Sequence, residues 1–206
     1  MIDIDPNTTE PVKRLGRRPG KPETRAAILA AARRWFNEAG YRGASLRGIA
    51  RDAEVDPSLV SHFFGSKAGL FVAAFELPLD PAYVIRRTLA CPAEQAGYSL
   101  VEVFLESWRE EESRGQIIGL LNQAVVDPQA ATLLHEFLIE DMLVPLVEAL
   151  GADRPQLRAG LVSSQLTGLG LGRYVFGMLA SGDFSDQELV AALGPTLQRY
   201  LMQPLS

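Results

Sequence analysis

The chain has little of what most catalytic or disulfide-built proteins need. Its 206 residues include one cysteine, Cys91, and two histidines, His62 and His135. A single cysteine excludes an internal disulfide framework and fits a reducing compartment. The two histidines fall in separate regions and no metal-site spacing is present, so neither catalysis nor a bound cofactor is expected. His135, beside Leu134 and Phe137, has the setting of a core or boundary histidine. The opening MIDIDPNTTE lacks the basic start and apolar run of a secretory signal, and a cytoplasmic location is expected. Strand-like alternation is also missing, which points to an all-α fold. One stretch, Leu161 to Ala180, nears the length and apolarity of a membrane span. Arg173, Ser163, Ser164 and Gln165 make a span there expensive, so no membrane partner is expected; a helix apolar nearly all round is instead buried between partners. Its glycines, Gly168, Gly170 and Gly172, follow no strand and so make no nucleotide loop.

What is present is charge sorted by position. The net charge of −5 conceals two opposed regions. Residues 11–67 hold twelve Lys or Arg against five acids, whereas residues 68–206 hold eight bases against seventeen acids. A basic part suits a polyanion and an acidic part repels one. Residues 1–21 read as a basic arm broken by Pro6, Pro11, Gly16, Pro19 and Gly20. Arg17 and Arg18, just ahead of the first predicted helix, are placed to reach DNA phosphates or a narrow minor groove.

The predicted helix from Pro22 to Ala39 buries Ile28, Leu29, Ala32, Trp35 and Phe36 and stops at Gly40. Ser45 then caps a second helix, with Leu46, Ile49, Ala50 and Ala53 on one face. Val55 lies in the turn, and Asp56-Pro57 restarts the chain as cap carboxylate and first-turn proline. The helix from Pro57 to about Phe64 is too short to stand alone. Leu59, Val60, Phe63 and Phe64 are its expected inner side, with Ser58, Ser61 and His62 facing out. Two helices around a short turn, the second carrying small polar residues outward, is the helix-turn-helix plan. Ser66 caps a helix from Lys67 to about Glu76, and Lys67 at its N-terminus suits a phosphate.

Residues 26–75, in particular ILAAARRWFNEAGYRGASLRGIARDAEVDPSLVSHFFGSKAGLF, resemble the DNA-binding domain of the TetR family of bacterial repressors. The resemblance implies phosphate contacts from Ser45, His62 and Lys67. It implies base-edge or phosphate contacts from Arg47, Pro57, Ser58 and Ser61. The family often has an aromatic residue where Ser61 stands and a small or hydroxyl residue where Leu59 stands.

After Pro78 the chain reads as helix throughout, in segments Ala82–Ala90, Ser99–Ser113, Gln116–Val126, Pro128–Leu150 with a kink at Pro145, Leu161–Ala180 and Asp186–Leu201. Glu110 to Glu112 are expected on a solvated face. The predicted organisation is an arm over 1–21, a three-helix DNA-binding domain over 22–77, and a helical effector-binding and dimerisation bundle over 78–206. Phe104, Trp108, Phe137 and Met142 lie on inner stripes and are the candidate effector lining. The last two helices have more apolar face than one subunit covers, so a homodimer through Arg158–Ala180 and Asp186–Leu201 is expected, with Gly170 at the seam. The expected partners are therefore double-stranded operator DNA, a small apolar effector and a second copy of the chain. A helical DNA-binding protein without an effector is the alternative; the roughly 130 residues after Pro78 favour the first reading.

Overall fold

The computed structural model describes residues 21–179 and 182–205, so Arg17 and Arg18 lie outside the described residues. Every regular element among them is helical. Helix α1 spans Lys21–Gly43, α2 Leu46–Asp52, α3 Pro57–Phe64 and α4 Lys67–Phe75. Then come α5 (Pro81–Leu89), α6 (Ala96–Ser107), α7 (Glu111–Val126), α8 (Pro128–Leu138), α9 (Val144–Ala149), α10 (Pro155–Gly170) and α11 (Asp186–Met202).

Short-range chemistry sets most helix starts. Ser45 Oγ accepts the Gly48 N–H at 3.0 Å, and Ser66 Oγ accepts that of Gly69 at 3.0 Å. Three aspartates, Asp56, Asp80 and Asp127, each precede a proline and each accept an N–H two residues on. This pairs a capping oxygen with a residue that has no N–H to satisfy. Within α1 the backbone leaves helical geometry at Gly40, where φ is 73°, a value glycine adopts without steric cost.

Several expected boundaries move. The predicted helix over Ser99–Ser113 runs instead from Ala96 to Ser107, with Trp108 closing it. Glu111 and Glu112 occupy the first turn of α7, where carboxylates complement the helix dipole, so the acidic run opens a helix. The expected kink at Pro145 is a π-helical turn over Ile139–Leu143 that hands over to α9, with Pro145 in its first turn. A proline has no N–H to return and its ring crowds the carbonyl four residues back, which is what the wider turn accommodates. The stretch Leu161–Ala180 is not one straight helix either: α10 ends at Gly170 and a π-helical turn follows over Leu171–Val175.

Two apolar clusters form. One gathers Ile28, Phe36, Ile49, Val60, Leu70 and Phe71 of the first four helices, and is completed by Leu133 and Phe137 of α8. The other joins α5, α6, α9, α10 and α11 around Leu100, Leu143, Val162 and Leu197. Helix α8 thus belongs to the first cluster while its continuation through Met142 belongs to the second. In the second, α6 and α11 meet at glycine. A Cβ on Gly97 would lie 2.2 Å from the Gln198 backbone nitrogen, and the Gly97 N–H donates to Gln198 Oε1 at 2.8 Å.

Two arginines are buried here. Arg158 donates to the Tyr200 and Gln203 carbonyls at 2.6 and 3.0 Å and pairs with the Asp153 carboxylate, clipping the start of α10 to the end of α11. Arg173 pairs with Asp186 at 2.8 Å and donates to the Leu179 and Phe184 carbonyls. Arg158 satisfies burial by spreading all its guanidinium nitrogens over carbonyls and a carboxylate, whereas Arg173 does so through its two terminal nitrogens and leaves Nε without a partner among the described residues. Among the described residues no single helix is long and apolar enough to cross a membrane; the bent pair α3 and α4, at 71°, passes the test of length and composition. Their buried residues Val60 and Leu70 pack in the first cluster.

Candidate nucleic-acid interface

Helix α3 rests on Val60, 1% exposed, with Phe63 and Phe64 partly buried against the same cluster. Its outward positions Pro57, Ser58, Ser61 and His62 are exposed, and Ser58, Ser61 and His62 share one face by helical spacing. Leu59 does not join the inner side as predicted: it is 36% exposed. Adjacent helix positions are turned about 100° from each other, so with Val60 facing fully inward Leu59 lies at the rim of the buried face. Leu59 therefore adds an apolar contact to the outer face, of the kind that meets a thymine methyl.

The polar groups differ in what they have free. Ser45 accepts from Gly48 through its oxygen, which leaves its hydroxyl hydrogen to donate. Ser58 donates its hydroxyl to Asp56 at 2.6 Å and its N–H at 2.8 Å. Those two bonds hold the Asp56 carboxyl below the usual aspartate range and commit the Ser58 hydroxyl to the cap. Arg47 is exposed and makes no ion pair among the described residues. Arg33 and Arg34, by contrast, are paired with Glu76 at 3.1 Å and Asp52 at 2.8 Å.

Lys67 opens α4 behind the Ser66 cap as expected, and its side chain turns back towards α1. Its ammonium lies 4.6 Å from the Tyr41 ring centroid and donates to the Arg42 carbonyl at 3.4 Å. Burial lowers its pKa from lysine's ordinary value, opposed by the nearby Glu136 carboxylate. The residue therefore faces the junction with α8 as much as solvent. Around it, Arg42 pairs with Glu140, and the Arg42 N–H donates to Glu136 at 3.0 Å. Arg25, not singled out from sequence, holds its guanidinium 5.4 Å over the Phe64 ring at the end of α3. Only the tertiary fold brings residues 25 and 64 together.

Phe104, Trp108, Phe137 and Met142 line one cavity of about 130 Å³. Leu77, Leu79 and Leu166 also line it, so the cavity draws on the α4–α5 connection and α10 as well as on the four expected residues. Trp108 stacks on Tyr174 at 4.6 Å between centroids, 3° from parallel. Phe137 is shared, since its ring also packs at 4.7 Å on Phe71 and 5.9 Å on Tyr41. Gly170, expected at a seam between subunits, is buried instead, and a Cβ there would lie 2.8 Å from Trp108 Cζ2. The apolar wall of the cavity and this close approach explain why α10 is glycine-bearing on its inner side.

A helix-turn-helix of this geometry, followed by a helical bundle, has matches along the chain. Residues 28–74 match the family model for bacterial regulatory proteins of the tetR family, and residues 94–201 match that for the tetracyclin repressor-like C-terminal domain. The chain belongs to the TetR family. It is a DNA-binding transcriptional regulator of the helix-turn-helix type. It is 26% identical over 171 residues to the HTH-type transcriptional regulator BetI of Burkholderia thailandensis, covering 79% of this chain and 86% of that one. A TetR-family regulator of Streptomyces coelicolor A3 with a solved structure is 31% identical, covering 90% of this chain and 98% of that one, with a TM-score of 0.40. NalD of Pseudomonas aeruginosa, the secondary repressor of the MexAB-OprM multidrug efflux pump, is 24% identical over 89% of this chain and 99% of its own, with a TM-score of 0.46.

Proposed function

We propose that this TetR-family regulator is a homodimeric repressor that leaves a near-palindromic operator when a small apolar effector enters the cavity beside Trp108. The observation that carries the reading is that Phe137 belongs at once to the DNA-binding unit's core and to the cavity wall. A ligand that displaces Phe137 must therefore act on Phe71 of α4 and Tyr41 of α1. By linkage, operator DNA must weaken that ligand by the factor by which the ligand weakens DNA. The DNA-facing set is Ser45, Arg47, Pro57, Ser58, Ser61 and His62, joined by Leu59 and by Arg17 and Arg18 of the arm, with Lys67 released to phosphate when α4 docks. No catalytic role is assigned to any residue.

The dimer is built on the outward stripe of α10, where Leu157 is 40% exposed and Gly160, Ser164 and Gly168 offer close approach, together with α11. Pairing two copies about a two-fold axis would set the recognition helices about 34 Å apart, or a multiple of it. Operator titration at moderate salt tests the interface. Arg47→Ala is expected to weaken binding and Leu59→Ala to alter sequence preference, each by about 1–3 kcal/mol if a base edge is lost. Unchanged affinity in both variants would place the interface elsewhere. A monomer by light scattering at micromolar concentration would remove the dimer.

A further inference from the structure

A second, larger cavity adjoins the first. It measures about 660 Å³ and lies where α1 and α4 face α7 and α8. Leu77, Leu120 and Leu134 line both cavities, so three leucine side chains form the partition between them. The inner space of 130 Å³ is near that of an apolar cavity of about 150 Å³ that takes a benzene-sized guest. Sites for larger ligands are about 300–1,000 Å³. An effector bigger than a few carbons must therefore extend past the leucines into the outer groove.

The groove has a chemistry of its own. Phe36, Phe71 and Phe75 bound it on the side of the DNA-binding unit. Glu38 and Asp127 stand in its lining, with the amides of Asn37 and Gln123, and among the described residues no Lys, Arg or His lines either cavity. Glu38 and Asp127 form no ion pair among the described residues; Asp127 uses one oxygen to cap α8. The partly buried Phe75 ring, two carboxylates without an ion pair and a lining free of cations among the described residues together favour a positive charge and disfavour a negative one.

Resting on the effector reading above, we infer that the effector is an amphiphile whose short apolar end fills the inner cavity and whose cationic end lies in the groove among Glu38, Asp127 and Phe75. The cationic end then occupies the space between α1 and α4 on one side and α7 and α8 on the other. A group wedged there acts on the DNA-binding unit directly, in addition to whatever the apolar end does at Phe137. The partition leucines are the passage between the two ends.

Three probes of equal chain length separate the contributions: n-hexylammonium, n-hexanol and n-hexanoate, titrated into the full-length chain at neutral pH. Trp108 fluorescence in a Trp35→Phe background reports the apolar end, and calorimetry on the unaltered chain gives the same comparison if that variant folds poorly. The ammonium is expected to bind about three- to tenfold more tightly than the alcohol, and the carboxylate more weakly than either. The preference should shrink as salt rises and disappear in Glu38→Gln with Asp127→Asn, where asparagine keeps the cap. Equal affinities for the three head groups, or a preference that survives both substitutions, would overturn this inference and leave the effector cavity standing. If none of the three perturbs Trp108 or gives heat, the effector reading itself falls and takes this one with it.

Discussion

Replacing Phe137 by alanine tests whether α8 holds the two halves of the regulator together. The side chain is fully buried, and its ring packs at 4.7 Å on Phe71 and 5.9 Å on Tyr41. Removing it forfeits about 2–3 kcal/mol of transfer free energy. Two aromatic contacts go with it, at about 0.5–1.5 kcal/mol each. The space left adjoins the existing 130 Å³ cavity, so neighbours cannot close it by a small shift. The expected loss is about 3–5 kcal/mol, in line with other buried Phe→Ala changes. Against a whole-domain stability of about 5–15 kcal/mol that is a large fraction. Urea unfolding followed by circular dichroism measures it, with Val126→Ala as control, since Val126 is 80% exposed and should change stability by less than about 0.5 kcal/mol. Hydrogen exchange adds location: protection should fall in α1 and α4 as well as in α8. A loss below about 1 kcal/mol, or unaltered exchange in α1 and α4, would refute the reasoning that Phe137 is a shared strut.

Other consequences can be checked on the same footing. Gly97→Ala drives a methyl into the backbone of α11, which cannot rotate away as a side chain could, and should cost about 1–3 kcal/mol or more in chemical denaturation. Gly115→Ala, whose Cβ meets nothing within 4 Å, should instead stabilise by up to about 1 kcal/mol. Arg158→Ala leaves the Tyr200 and Gln203 carbonyls without their donor and should cost about 2–4 kcal/mol, with Arg158→Lys recovering only part because one ammonium cannot reproduce the fork. The hydrogen bond from Arg158, above all, holds the Asp153 carboxyl below its ordinary value. A carboxylate depressed in the fold stabilises above the unfolded-state pKa and loses that contribution as pH falls through the folded-state value. Melting temperature should therefore drop in the acid range below the ordinary aspartate pKa, and less steeply in Asp153→Asn.

Residues that act within one turn of themselves were legible without a structure. Ser45, Asp56-Pro57 and Ser66 announce helix starts because a capping oxygen bonds an N–H two or three positions away. The period of Ile28, Ala32 and Phe36 marks α1's buried stripe for the same reason. The helix-turn-helix and its outward serines follow from such local rules plus a resemblance carried by contiguous residues. Where a local rule met a long-range contact, the contact prevailed. Lys67 begins a capped helix, yet its ammonium is held by Tyr41 and Arg42, some 25 residues earlier. Leu59 is apolar by composition but turned outward, at the rim of a face on which its neighbour Val60 points fully inward.

What the tertiary structure alone decided is which distant residues share a space. Gly97 and Gln198 are 101 positions apart, and nothing near either one signals that α6 and α11 touch backbone to backbone. Gly170 looked like a seam glycine, but Trp108 occupies the place its side chain would need. Phe104, Trp108, Phe137 and Met142 each read as inner-stripe residues; that they line one cavity depends on how α6 crosses α8 and its continuation. Helical periodicity tells a residue to face inward, since burying apolar surface is favourable whatever covers it. It carries no address for the covering partner, because hydrophobic attraction is non-directional and shape complementarity exists only once the helices are packed.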